Sequence, residues 1–329
     1  MHRNLKFVVG SLLAGVLAGW TTFINAQPSQ QPAYPSRLIR VLVGVPPGGS
    51  TDQITRMFAE WLHESLRQPS VVENRPGANT AAAADAVARA SPDGHALLMA
   101  TDALVALPLL AKLTFDPFKD LAPIGAIGVS RFVLAVHPSL PVSTVKELIA
   151  LAKARPGQLN YASSGNAGTS HLGLEKFKMH TATNMVHIPY KGAGPAIIDA
   201  IAGQIQVSMW TPLAIVGHVN AGKLKPLAAT GPKRTQLLPN VPTFGEAGLP
   251  GYDHNVWFAV FAPAGTPKPI VDRLNVEIAR MVAAPNNKQR LDSSGVEPLL
   301  ITPEQLATMI RAQVAELQTL ITAANIKMD

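Results

Sequence analysis

The chain contains no cysteine, which excludes disulfides and any thiolate chemistry. Aromatic residues make up only 5% of it, too few for a base-stacking surface. Charge of one sign is never concentrated. The formal net charge of +7, which becomes +5 once Arg3 and Lys6 are set aside, is spread with no run of five like charges. That argues against a nucleic-acid tail and leaves only a mild attraction for anionic solutes. Beyond the first residues, no apolar stretch free of charge and proline approaches the ~20 residues that span a bilayer. Several site motifs are missing as well. There is no G-x-x-x-x-G-K-[ST] or G-x-G-x-x-G for a nucleotide, no H-E-x-x-H for zinc and no G-x-S-x-G elbow for a serine hydrolase.

What is present begins with a basic start (His2, Arg3, Lys6), an apolar core over residues 7–20 and Ile24-Asn25-Ala26. This is the pattern of a secretory signal peptide, expected at residues 1–26. With no cysteine near the cleavage site, a lipoprotein anchor is excluded, and the expected location is the periplasm. Removing the signal leaves about 300 residues, enough for two domains with sizeable cores.

The chain is organised around residues 38–66. An apolar, β-branched run at 38–45 reads as a buried strand. Pro46, Pro47, Gly48 and Gly49 break it, since proline lacks a donor and glycine permits positive φ. Ile54, Met57, Phe58, Trp61, Leu62 and Leu66 then recur at helical spacing, with Ser50 or Thr51 as the expected N-cap. A helix start after a glycine turn leaves backbone amides free and presents the positive end of the helix dipole, a ready site for an anion. Asp52 in the first turn would repel a polyphosphate but could accept from an ammonium or hydroxyl, so a small carboxylate fits better than a nucleotide.

Strands are expected at 70–73 and 96–100 with an alanine-rich helix at 80–90 between them, the pattern of a parallel sheet. Ligands bind beyond the carboxyl ends of such strands, where both the Pro46–Asp52 turn and Thr101 should lie. After strand-like runs at 124–129 and 132–136 comes a capping box, Thr144 with Glu147, opening a helix that ends at Pro156-Gly157. The opening logic then repeats. A short strand at 159–162 runs into Ser163, Ser164, Gly165, Asn166, Ala167, Gly168, Thr169 and Ser170, followed by a helix over 171–180. This is a second anion cradle, lined with hydroxyls. Tyr190 and Trp210 stand at the ends of later strands, and two long helices are expected at 269–284 and 303–324, the second with an apolar stripe that packs on its own domain.

The motifs that carry a family likeness run through nearly all of the mature chain. They are Pro47-Gly48-Gly49-Ser50-Thr51-Asp52, Val72-Glu73-Asn74-Arg75-Pro76-Gly77-Ala78, Ser91-Pro92-Asp93-Gly94, Phe115-Asp116-Pro117 and Tyr161-Ala162-Ser163 with His171-Leu172. His187-Ile188-Pro189-Tyr190-Lys191-Gly192, Leu238-Pro239-Asn240-Val241-Pro242-Thr243, Glu246-Ala247-Gly248-Leu249-Pro250-Gly251-Tyr252 and Ala262-Pro263-Ala264-Gly265-Thr266-Pro267 follow. With these the chain resembles the substrate-binding receptors of tripartite tricarboxylate transporters, the Bug family. The resemblance implies an α/β type II periplasmic-binding-protein fold of two Rossmann-like lobes. Residues 37–131 with 257–329 would form one lobe and 132–256 the other, joined by a two-strand hinge and closing like a flytrap on a ligand cleft. It also implies a small carboxylic acid as ligand, delivered to membrane permease subunits. The protein is expected to be a monomer, and the missing catalytic motifs leave no enzyme activity, cofactor or metal expected. The implied contacts are Pro47, Gly48, Gly49, Ser50, Thr51, Asp52 and Thr101 from one lobe, and Ser163, Ser164, Gly165, Thr169 and Ser170 from the other, with Tyr190 nearby.

One departure bears on the ligand. Where the family commonly carries aspartates after Gly203-Gln204, this chain has Gln206 and Trp210. An aspartate there could pair with the ammonium of an amino acid; Trp210 could not, but offers a flat apolar wall. The expected ligand is therefore an aromatic or other carboxylate without an amine, with burial of Trp210 beneath the loop as the competing reading. Two further readings stay open: a sensor presenting its ligand to a membrane signalling partner such as a sensor kinase, and a secreted hydrolase or lyase of small acids. His171 and Glu175 have metal-ligand spacing, but such a lone pair more often caps or ion-pairs.

Overall fold

Short apolar runs alternate with stretches of helical spacing, and each run becomes a strand in one of two sheets. The computed structural model describes residues 34–77 and 80–326; the expected signal peptide at 1–26 lies outside them. In chain order the elements are β1 (Ile39–Val43), α1 (Ser50–Leu66), β2 (Ser70–Asn74), α2 (Ala81–Ala88), β3 (Ala96–Ala100), α3 (Ala103–Leu110), β4 (Leu121–Arg131) and β5 (Val133–Val136). Then come α4 (Val145–Ala154), β6 (Asn160–Ser163), α5 (Thr169–Thr181), β7 (Val186–Pro189), α6 (Ala193–Ile201), β8 (Val207–Trp210), α7 (Pro212–Asn220) and β9 (Lys225–Ala229). The last are β10 (Asn255–Pro263), α8 (Lys268–Ala283), α9 (Pro285–Ser293), β11 (Val296–Pro298) and α10 (Pro303–Ala324).

The first sheet has the order β11-β4-β10-β3-β1-β2 and the second β7-β6-β8-β5-β9. In the first, β1 runs parallel to both neighbours, with Val43 opposite Asn74 and Met99. In the second, β6 runs parallel to β7 and β8. Parallel strands release their following turns at one sheet edge, so the β1–α1 turn and Thr101 share an edge, as do Ser163, Tyr190 and Trp210. Helices cover the sheet faces, as parallel strands buried on both sides require. This is a two-lobed α/β fold of the type II kind.

The chain leaves the first sheet at Arg131 and enters the second at Val133; it returns ahead of Asn255, which pairs with Arg131. The two crossovers therefore lie side by side. They are pinned by the Phe132 amide donating to Thr230 Oγ1 at 2.9 Å and by an ion pair between Arg131 and Glu297 at 3.0 Å. On α1 the residues Ile54, Met57, Phe58 and Leu62 are buried at the spacing the sequence shows. Gly44 is required by a close approach, since a Cβ there would stand 2.4 Å from Thr80 Cα.

Several expectations change. Gly49, not Ser50 or Thr51, is the N-cap of α1 and offers no side chain; Ser50 and Thr51 are already helical. The backward-reaching bond comes instead from Asp52, whose carboxylate accepts from the Gly48 amide at 2.9 Å. β4 runs from Leu121 to Arg131, longer than the run expected at 124–129, because β10 offers it a long antiparallel partner. α7 and α9 were not anticipated. The capping box is present as read, with Thr144 and Glu147 each bonding the other's backbone. α10 buries Leu306, Ile310, Leu317, Leu320 and Ile321 in a cluster that also takes in Ala167 and Leu172 of the second lobe, so its stripe reaches across the seam.

Candidate functional site

The first turn is shaped by Asp52. Its two oxygens take up Arg56 Nε at 2.9 Å, Arg56 Nη2 at 3.1 Å, Asn74 Nδ2 at 2.8 Å and the Gly48 amide at 2.9 Å. Burial opposes its charge, but the bonds from Arg56, Asn74 and Gly48 outweigh that and hold the carboxyl below the usual range. Asp52 is thus a clamp inside the turn, not an open acceptor for an ammonium. Gly48 has φ +100° and uses its freedom from a side chain, whereas Gly49 is extended at φ −78°. Pro47, Gly48 and Gly49 are exposed, Ser50 and Thr51 half-buried. The amides of Ser50, Thr51 and Asp52 open the helix and by its geometry have no intrahelical acceptor.

The second turn is built on a buried aromatic and polar stack. Ser163 is fully buried; its hydroxyl donates to the Gly165 carbonyl at 3.0 Å and lies 2.6 Å from His187 Nε2. His187 stacks on His171 with centroids 3.7 Å apart, and on Tyr161 at 4.9 Å. His171 Nδ1 accepts from the Ala167 amide at 2.9 Å. Burial, then His187 and Lys178, lower the His171 pKa to about 3, so the ring stays neutral. Below it Glu175 accepts from Tyr161 and from Lys178. His171 and Glu175, noted above for their spacing, are accordingly part of this support. Ser170 is buried too and accepts from the Ser164 amide at 3.1 Å. The surfaces left at this turn are Ser164, Gly165 (φ +136°), Gly168 and Thr169, all half-buried.

Thr169, the first residue of α5, joins the two edges. Its hydroxyl donates to Asp102 Oδ1 at 3.0 Å, across the seam to the residue next to Thr101. Asp102 is 1% exposed. Burial pushes its carboxyl up to about 7, against the Thr169 hydroxyl and the amides of Asp102 and Ala103. Sequence reasoning named Thr101 and passed over Asp102; the signal available was only its place at the end of β3. Two other candidates turn inward. Tyr190 donates its hydroxyl to Asp199 at 2.7 Å and is pushed up to about 12 by burial and that carboxylate. Trp210 packs in the second-lobe core with Val133, Ala162 and Ile197 at 3% exposure, so it offers no open flat wall. Its indole N–H has no hydrogen-bond partner among the described residues. Gln206 accepts from the Asn160 amide at 2.9 Å and serves its own sheet.

A separate pocket of about 270 Å³ lies in the first lobe, lined by Leu104, Val105, Phe118, Phe261, Ile310 and Arg311 among others. It has no hydroxyl, and Arg311 is exposed and bonded to Thr308, so the turns remain the better carboxylate site. The Ser163–His187 pair does not make a nucleophile either: the hydroxyl is buried and already donates to a backbone carbonyl, whereas attack needs an accessible oxygen.

Two α/β lobes on paired crossovers, with glycine-serine turns at strand ends drawn together by a cross-seam hydrogen bond, define a two-lobed solute-binding protein. The chain belongs to the tripartite tricarboxylate transporter family receptors, whose family model matches residues 54–326. Protein BugT of Bordetella pertussis (strain Tohama I) is 35% identical over 292 residues, 88% of this chain and 90% of that one. The structure of R. palustris Rpa4515 with adipate is 33% identical with a TM-score of 0.81, over 90% of this chain and 100% of that one. MatC (Rpa3494) from Rhodopseudomonas palustris with bound malate is 28% identical with a TM-score of 0.77, over 88% and 100%. The family is one of substrate receptors, not enzymes.

Proposed function

We propose that the protein is a periplasmic receptor that closes its two lobes on a small carboxylic acid without an amine and hands it to the membrane permease of a tripartite tricarboxylate transporter. Residues 37–131 with 257–329 form one lobe in this reading and 132–256 the other, with residues 1–26 as the export signal. The observation that carries it is the Thr169–Asp102 bond, which brings the start of α5 to the edge that also bears the β1–α1 turn. A carboxylate between these helix starts would accept from the backbone amides at Gly49 to Thr51 and Gly165 to Thr169 and from the hydroxyls of Ser50, Thr51, Thr101 and Ser164. Ser163, Ser170, Asp52 and Tyr190 shape the turns. Trp210 packs in the second-lobe core behind them.

Each charge-assisted backbone bond contributes about 1.5–3 kcal/mol net, so three or four support micromolar or better affinity after ordering costs. The absence of an amine follows from the acids near the turns. Asp52 is clamped, Asp102 is bonded to Thr169 and Asp199 to Tyr190, which leaves an ammonium without an uncommitted carboxylate among them. Relatives caught with adipate and with malate support the ligand class.

The test is a thermal-shift screen of protein starting at Gln27, unfolded and refolded to strip carried-over ligand. The panel is adipate, malate, citrate, benzoate, aspartate and glutamate. Ligand that binds only the folded state raises the melting temperature. Adipate, malate, citrate or benzoate should do so; a preference for aspartate or glutamate would refute the amine-free reading, and silence from every acid would refute the carboxylate.

A further inference from the structure

We propose that Asp102 is a positioning residue that sets the α5 end of the cleft at closure by holding Thr169 across the seam, and that it makes closure favoured by acid. The proposal rests on the reading that the lobes close on a carboxylate.

Thr169 is gripped from two sides. Its hydroxyl is bound by Asp102 of the first lobe, and its backbone carbonyl stands 2.7 Å from His254 Nε2, just before the returning crossover β10. Those two contacts fix the first residue of α5, and with it the direction in which the opening amides of the helix point. On the second-lobe side Thr169 bonds Asp102 directly, and Ala167 and Leu172 reach into the first-lobe cluster that holds Leu104 and Val105, the α3 residues that follow it. Parting the lobes would return water to the carboxyl. A buried carboxyl facing one hydroxyl prefers to be protonated, and an exposed one does not.

The sign follows. With the lobes together as they stand here, burial pushes the Asp102 carboxyl up to about 7; exposed on parting, it would return to the ordinary carboxylate range near 3.9. Between those values the closed form holds a proton that the open form releases, so closure is favoured as pH falls and penalised as pH rises towards 7. The surrounding elements add little charge of their own. α3 carries no titratable side chain. Asp85 of α2 is paired with Arg89, and Glu316 of α10 with Lys176 of α5. Two histidines remain. His171 on α5 is lowered to about 3, and His254 is lowered to about 4, in each case chiefly by burial. Both oppose the effect in acid, His254 more directly because it touches Thr169.

The cysteine-free chain allows a clean distance measurement. Val71→Cys on the first lobe and Ile198→Cys on the second, both exposed, carry spin labels, and pulsed electron paramagnetic resonance gives the closed-to-open ratio from pH 8.5 to pH 5 with and without adipate. Because His254 is present throughout, comparison with Asp102→Asn isolates the carboxyl. The ratio for native Asp102 relative to Asp102→Asn should rise by up to about tenfold per pH unit below 7. Thr169→Val, which removes the hydroxyl that works against the raised value, should keep or steepen the rise while loosening the grip on α5, and Thr169→Ser should return the native profile. Matching pH profiles for native Asp102 and Asp102→Asn would overturn the proposal. If neither adipate nor any other acid of the panel changes the distance while the Asp102-dependent rise persists, the carboxylate reading fails and the latch stands; if one of them closes the lobes with no Asp102-dependent slope, the latch fails alone.

Discussion

Replacing Asp52 with alanine tests how the first turn is held. The carboxylate is 2% exposed and serves three donors at once: the Gly48 amide, the Arg56 guanidinium and the Asn74 amide. These do not add at full value. The Arg56 side chain is 52% exposed, so solvent screens its part to about 1 kcal/mol or less. Gly48 is exposed and can turn to water, and Asn74 keeps its bond to the Val45 carbonyl at 3.0 Å. A net loss of about 2 kcal/mol remains once bonds to an ionised acceptor are counted at their usual size. At 2–4 °C per kcal/mol for domains somewhat smaller than this chain, and less for a larger one, the melting temperature should fall by roughly 4 °C or slightly less. The pH dependence adds a check. Since the folded pKa is lowered, the contribution of Asp52 is present above the ordinary carboxylate range and lost as pH falls through the folded value. Calorimetric melts of the native and Asp52→Ala proteins should therefore differ at pH 7 and converge in strong acid. Adipate affinity, measured by titration calorimetry, should drop at least tenfold, because the amides lose their fixed direction. A melting temperature within about 1 °C of native would show that Asp52 does not hold the turn, and a clear destabilisation with native affinity would remove the turn from the site.

Gly49→Val should lower affinity for the probe acid with little change in melting temperature, since Gly49 is extended and a Cβ there meets nothing within 4 Å; unchanged affinity would argue that no ligand approaches it. Stability should decline from pH 6.5 towards pH 4, because His171 and His254 are neutral in the fold and charged when unfolded, so their lowered pKa values help above the ordinary histidine value and cost below it. His254→Gln should flatten that slope in thermal melts, and an unaltered slope would exclude His254 as its source. Gly44→Ala should destabilise by more than about 2 kcal/mol against the Thr80 backbone. Gly217→Ala, inside α7 with open space around it, should instead stabilise by up to about 1 kcal/mol. Urea melts of the two variants check both signs.

The local elements were legible because their causes are local. The apolar run of β1, the 3.6-residue spacing of α1 and the Thr144–Glu147 capping box each depend on residues a few positions apart, and each stands where the sequence put it. α9 escaped because nearly all of its residues are polar and only Asn287 and Leu291 are buried, so there is no stripe to read. α7 buries only Pro212 and Ile215. The two glycine turns were likewise visible as breaks between a strand and a helix. Which of their groups remain available was not. Ser163 and Ser164 are chemically the same in sequence, yet β7 brings His187 against the first and leaves the second at the surface of the turn. Asp52 looks like an acceptor for a ligand until Asn74, 22 residues on, takes its oxygen. Asp102 and Thr169 are 67 positions apart and meet only because two crossovers set one lobe against the other. The sequence by itself determined the strands, the helices and the donor-rich turns, since these follow from side-chain periodicity and backbone freedom; the tertiary structure alone decided which polar groups spend their hydrogen bonds on the protein and which are left for a ligand, because that depends on contacts no local pattern encodes.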